Sequence, residues 1–211
     1  MQIETKRLLY AFFFPALFVF VLWLILLLEK GLVADWHRWG IYPRTVEGLW
    51  GIFTGPLIHS SVRHLFSNSV PLLILGWCLF YFYKEIGFSV MPVVWVLYGL
   101  LTWFIGRESW HIGASGLVYA LSFFLFFSGI FRRYIPLMAV SLLMVFLYGS
   151  TVWNMFPIAE LVDPSVSWEG HLSGAVSGLI GAVIFRKYGP QKPLEPEPEE
   201  EEEELDDSWQ S

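Results

Sequence analysis

The chain has 211 residues, 55% of them hydrophobic, with a mean hydropathy of +0.56 and a formal net charge of −6. So large an apolar share excludes a water-soluble domain, which has no interior able to hide it, and points to an integral, helical membrane protein. The acidity says nothing about that core: 10 of the 19 acidic residues fall in 195–207, EPEPEEEEEELDD, leaving 13 basic residues against 9 acidic ones elsewhere.

The pattern predicts six apolar segments of near-spanning length, at roughly 8–28, 64–83, 88–105, 115–131, 134–153 and 170–186. The first is longer than the apolar region of a signal peptide and reads as an uncleaved span, although GLVA at 31–34 weakly resembles a cleavage site. The connection 29–63 is too long for a turn and carries Trp36, Trp39, Tyr42, Trp50 and Phe53. It reads as a structured element at a membrane interface, where amphipathic rings are favoured, and His37 within it as an ordinary interfacial residue. Cys78, in the second segment, is the single cysteine, so neither a disulfide within the chain nor a cysteine metal site can form. Beyond the last segment, Pro and a block of like charges predict a disordered acidic tail over 189–211.

Lys and Arg set the orientation. With the N-terminus inside, eight fall on the cytoplasmic side and five outside, four of the five in the long first connection. Arg132 and Arg133 lie inside, and 154–169 holds no Lys or Arg. Both termini are therefore expected in the cytoplasm.

Polar residues recur at one end of three segments. In the fourth, Gly113-Ala114-Ser115-Gly116 leads into about 15 apolar residues, about 22 Å of helix against a hydrocarbon core of about 30 Å. With Arg132-Arg133 pinning the far end, Ser115 is expected below the outer surface, where irregular backbone must be covered by protein or line a wet cavity. His64 and Asn68 open the second segment, four apart and so on one helix face. His171 opens the sixth, followed by Gly174, Gly178 and Ala182, a stripe of small residues that lets another helix approach closely. Such polar groups in spans usually face the bundle interior and carry function. If the Gly174 stripe meets the fourth span, His171 reaches Ser115 and Tyr119, one turn on, can buttress its ring. That arrangement makes a serine nucleophile with a histidine base.

Taken together, His64-x-x-x-Asn68, Gly113-x-Ser115-Gly116, Tyr119 and His171-Gly174-Gly178 resemble the rhomboid family of intramembrane serine proteases over residues 45–186. His59, five residues before His64, fits the same pattern. The resemblance implies an all-α, six-span rhomboid-like catalytic domain over 1–188. It implies Ser115 as nucleophile and His171 as general base and acid with no aspartate. It implies an oxyanion hole of the Ser115 N–H with the His64 and Asn68 side chains, supported by Gly113, Tyr119, Gly174 and Gly178. The reaction would be hydrolysis of peptide bonds in the membrane segments of other proteins, within the lipid bilayer, at small residues near helix-weakening ones. No cofactor, metal or nucleic-acid partner is expected. The fifth span and the 154–169 loop, with Met155, Phe156 and Trp168, would form a gate and cap. Two positions depart from the family: Gly51 follows Trp50 where an arginine often stands, which puts the usual anchoring of the first loop in question, and Gly170 replaces a frequent alanine. His59 and His111 read as structural residues.

A rhomboid-fold protein that binds client helices without cutting them is the alternative, which loss of Ser115 or His171 would favour; both are present. A metal or haem protein using His59, His64, His111 and His171 is disfavoured by the five-residue spacing of the first two and by the lack of supporting cysteines or carboxylates. A transporter lacks an evident pair of broken half-helices. Short loops and the absence of an organellar leader suggest a bacterial plasma membrane.

Overall fold

The computed structural model describes residues 3–133, 135–147 and 167–189. The helices are α1 (Ile3–Gly31), a single turn α2 (Gly51–Thr54), α3 (Val62–Phe82), α4 (Gly87–Ile105), α5 (Ser115–Arg132), α6 (Ile135–Leu147) and α7 (Trp168–Ile184). Among the described residues there is no strand, only one antiparallel bridge between Ile41 and His111.

Long apolar runs make the helices, and local chemistry ends them. The Ser61 hydroxyl accepts the His64 N–H at 3.1 Å and caps α3. The Ser167 hydroxyl accepts the Gly170 N–H at 3.1 Å and caps α7. Each satisfies one of the donors that a first helical turn leaves open. Arg133 closes α5 in the left-handed conformation, at φ 53°.

Among the described residues, four helices are long and apolar enough to cross a membrane: Thr5–Gly31 within α1, α3, α4 and α5. The other two expected spans differ. The segment 134–153 is described as helix only over Ile135–Leu147, and the rest of it, with most of the expected cap at 154–169, lies outside the described residues. The expected tail over 189–211 likewise lies outside them beyond Gly189. The sixth segment is α7, which has 17 residues and begins at Trp168, so that this tryptophan belongs to the helix and not to the preceding loop.

Helix α7 is central. It lies against α5 and α4, while α1 lies against α3 and α6 against α5. Ten of its residues are buried, among them Glu169, His171, Ser173 and Ser177. Polar side chains are costly against lipid, so a helix this polar is placed inside the bundle. Leu22, Leu65, Leu72, Leu75, Val94, Leu117, Leu121 and Phe124 fill the common core.

The connection from α1 to α3 is ordered by bonds to α4 and the chain that follows it. Arg44 Nη1 donates to the Gly106 carbonyl at 2.7 Å, Trp103 Nε1 to Thr45 O at 2.9 Å, and Trp95 Nε1 to Ile52 O at 2.8 Å. These anchor the loop without the missing arginine after Trp50. At the far end of α5, Arg132 does not reach outward as a flanking charge. It is 4% exposed, and its guanidinium donates to Ser128, to Phe185 O at 2.6 Å and to Tyr188 O, tying off the end of α7.

Candidate active site

The N-terminal ends of α3, α5 and α7 converge. Ser115 is the first residue of α5, presented by a turn in which Gly113 has φ +103°, a conformation that favours glycine. There is no room for a side chain at Gly113 either: an added Cβ would stand 2.6 Å from His64 Cε1 and 2.7 Å from His64 Nε2. As the opening N–H of a helix, that of Ser115 has no intrahelical acceptor.

His171 Nε2 lies 2.9 Å from Ser115 Oγ. The Tyr119 ring stacks on the imidazole, centroids 4.4 Å apart and planes 18° apart. Ser115 is half-buried, whereas His171 and Tyr119 are 6% and 4% exposed. The close approach that allows this comes from glycine. A Cβ at Gly174 would overlap the Gly116 carbonyl and stand 3.0 Å from Tyr119 Cβ, and one at Gly178 would overlap the Ala120 carbonyl. The small-residue face of α7 is therefore the face seated on α5, as the spacing suggested.

His64 and Asn68 flank the Gly113 turn from α3. The His64 ring meets that turn with Nε2, while Nδ1 is 3.2 Å from Ser60 Oγ. If Ser60 donates, Nε2 carries the hydrogen and points a donor toward the turn. Asn68 Nδ2 would stand 3.8 Å from a Cβ at Gly113 and uses one hydrogen on His59 Nε2 at 3.2 Å. The second hydrogen remains for an acceptor. The expected site residues are thus brought to one end of the bundle: Ser115, His171, Tyr119, His64, Asn68 and Gly113, with Gly174 one helical turn further along α7 and Gly178 two turns.

His59 is drawn in more closely than its spacing suggested. It is 1% exposed, and its Nε2 accepts from both Asn68 Nδ2 and the Ala114 N–H, the latter at 3.3 Å. Two donors on Nε2 require a neutral ring with its hydrogen on Nδ1, facing Leu57 O at 3.4 Å. Burial, helped by the neighbouring His64, accordingly lowers its pKa from 6.5 to about 4. One imidazole thus orients the Asn68 amide and the backbone of the serine turn together. The sequence signal was the nearness of a second histidine to the His64–Asn68 pair. His111, 3% exposed, is also held by both ring nitrogens, and burial is the first cause of its lowered pKa. Among the described residues no group of His, Cys, Asp and Glu is placed to hold a metal ion.

The geometry offers a hydroxyl in contact with an imidazole, a stacked ring to hold the imidazole, and side-chain donors beside a helix N-terminus. The chain matches the Rhomboid domain model over residues 46–188, a stretch that holds His59, His64, Asn68, the Gly113 turn and His171. An uncharacterized protein of Mycobacterium tuberculosis is 35% identical over 173 residues, 79% of this chain and 72% of the relative. One of Mycobacterium leprae is 32% identical over 174 residues, 79% of this chain and 68% of the relative. The rhomboid protease GlpG of Klebsiella pneumoniae is 24% identical over 163 residues, 76% of this chain and 57% of that protein.

Proposed function

Because the chain belongs to the rhomboid family, and is on that ground an integral membrane protein, we propose that it is a serine endopeptidase cutting membrane segments of other proteins with a Ser115–His171 dyad. The observation that carries the reading is the 2.9 Å contact between His171 Nε2 and Ser115 Oγ. In the first step Nε2 takes the Ser115 proton as Oγ attacks the substrate carbonyl carbon. The resulting oxyanion takes hydrogen bonds from the Ser115 N–H, Asn68 Nδ2 and His64 Nε2, with the N-terminal dipole of α5 behind them. The imidazolium then gives its proton to the leaving amine, and the amide bond breaks. Water, deprotonated by the same nitrogen, releases the acyl group from Ser115.

Tyr119 takes over part of what an aspartate does in a triad. Its ring, stacked at 4.4 Å, fixes the imidazole plane, and its π-face favours the cation that forms. The catalytic domain spans 1–188, followed by an acidic cytoplasmic tail at 189–211, and the site opens toward the outer side of a bacterial plasma membrane with both termini inside.

The test is labelling of the purified protein with a fluorophosphonate, together with cleavage of a single-span substrate in proteoliposomes. Wild type should label and cleave, and Ser115→Ala and His171→Ala should each lose both, by about 10³-fold or more. A folded wild type that neither labels nor cleaves any of several substrates refutes the dyad and favours a client-binding role.

A further inference from the structure

Between α4 and Ser115 runs a short strap, residues 106–114. Two of its side chains grip the first turn of α7, the turn that delivers His171. The backbone of His111 is pinned from the opposite side, exchanging hydrogen bonds of 2.9 and 2.8 Å with Ile41. Its ring is therefore set on a braced backbone, four residues before the nucleophile.

The protons of this contact can be ordered. His111 Nε2 is 3.0 Å from the Arg107 carbonyl, which can only accept, so Nε2 carries the hydrogen. In the neutral ring Nδ1 is then an acceptor, and it lies 2.6 Å from Ser167 Oγ. The Ser167 hydroxyl must donate to it, while its lone pair accepts the Gly170 N–H. The chain runs from Gly170 N–H through Ser167 to His111 and ends on Arg107 O. The same serine's carbonyl accepts the His171 N–H at 3.2 Å. Beside it, Glu169 in that first turn is 2% exposed and faces Arg107, whose N–H lies 3.3 Å from Oε1 and whose Nη1 lies 3.8 Å from Oε2.

We propose that His111 is a positioning residue: through Ser167 it fixes the first turn of α7 and so sets His171 against Ser115. Its ring nitrogens bond to Ser167 and Arg107, not to the nucleophile or the base. The strap ties the two together because one short stretch of backbone holds the base's helix at His111 and presents the nucleophile at Ser115. The hydrogen bond from Ser167 fixes the azimuth of the cap, and the Arg107–Glu169 pair resists rotation of the turn. This inference rests on the assignment of Ser115 and His171 made above.

The experiment compares His111→Phe, which keeps a ring but removes both nitrogens, with His111→Asn, whose Oδ1 can replace Nδ1 as acceptor. Single-turnover fluorophosphonate labelling and steady-state cleavage are measured on folded protein of matched thermal stability. His111→Phe should lower kcat about tenfold with KM unchanged, since sub-ångström loosening of a reacting pair acts on the chemical step. His111→Asn should recover most of that loss. Ser167→Ala should lose a similar factor, and the double variant no more than either single one. Wild-type kcat in His111→Phe overturns the proposal. So do equal losses in His111→Phe and His111→Asn, or losses that multiply in the double variant, because packing alone would then explain them. If His111→Phe does not fold, Ser167→Ala is compared with Ser167→Thr, which keeps the hydroxyl, and equal kcat in those two overturns it. A wild type that fails to label refutes the dyad itself, a different result from a labelled wild type indifferent to His111.

Discussion

Replacing Gly174 by alanine adds a single methyl group one turn below His171. Its Cβ would lie more than 1 Å inside ordinary contact with the Gly116 carbonyl, and 3.0 Å from Tyr119 Cβ. Neither neighbour can swing away, because one is backbone and the other is the first carbon of a buried side chain. Relief must come from moving α7 away from α5 by roughly 1 Å, a shift of the size that costs about 10² in rate when it separates reacting groups. Applied to the 2.9 Å contact of His171 with Ser115, it takes the pair beyond hydrogen-bonding distance. The expected stability cost is that of overpacking, about 1–3 kcal/mol. Labelling rate and kcat/KM in proteoliposomes, with thermal unfolding in detergent, separate the two effects. Gly31→Ala, which meets nothing within 4 Å, is the control and should be neutral. A folded Gly174→Ala protein labelling at the wild-type rate would refute the reasoning that glycine contact sets the dyad distance.

Asn68→Ala and His64→Ala should each reduce kcat by about 10²–10³ with little change in KM, the cost of one oxyanion donor, and a change confined to KM would remove that role. His59 should make stability pH-dependent: its folded pKa is depressed to about 4 from 6.5, so stability is complete above 6.5 and declines as pH falls toward 4. The loss, at most about 3 kcal/mol, should be absent in His59→Gln, which keeps an acceptor and cannot titrate; parallel unfolding curves for the two proteins would sink the idea. Arg132→Leu should cost about 2–3 kcal/mol of stability by stripping charged donors from the Phe185 and Tyr188 carbonyls. It should leave kcat/KM intact, because it acts about 26 Å of helix away from Ser115. Equal thermal stability of variant and wild type would show the clamp to be inert.

Periodicity and the helical rise made much of this legible in the sequence. The small-residue stripe on α7 and the four-residue steps from His64 to Asn68 and from Ser115 to Tyr119 are local facts, and they carried which faces meet. What stayed hidden depends on bonds that span the chain. His59 serves Ala114 across 55 residues, and His111 serves Ser167 across 56. The nearness of His59 to the His64–Asn68 pair marks it as part of the pattern without naming Ala114 as its partner, and His111, alone in its loop, carries no mark of Ser167 at all. Arg132 is a second case. The sequence reads it as pinning the far end of the span, and what it leaves out is that its acceptors are carbonyls that only folding brings beside it. The division has a physical source. Helix-to-helix contact repeats with the helix and leaves a periodic trace, whereas the groups that orient reacting atoms are single polar contacts between irregular segments. Positioning residues are therefore sought at buried imidazoles and helix caps, where each polar atom must be accounted for, and among the described residues at this site such an accounting leads to His59, His111 and the Ser167 cap.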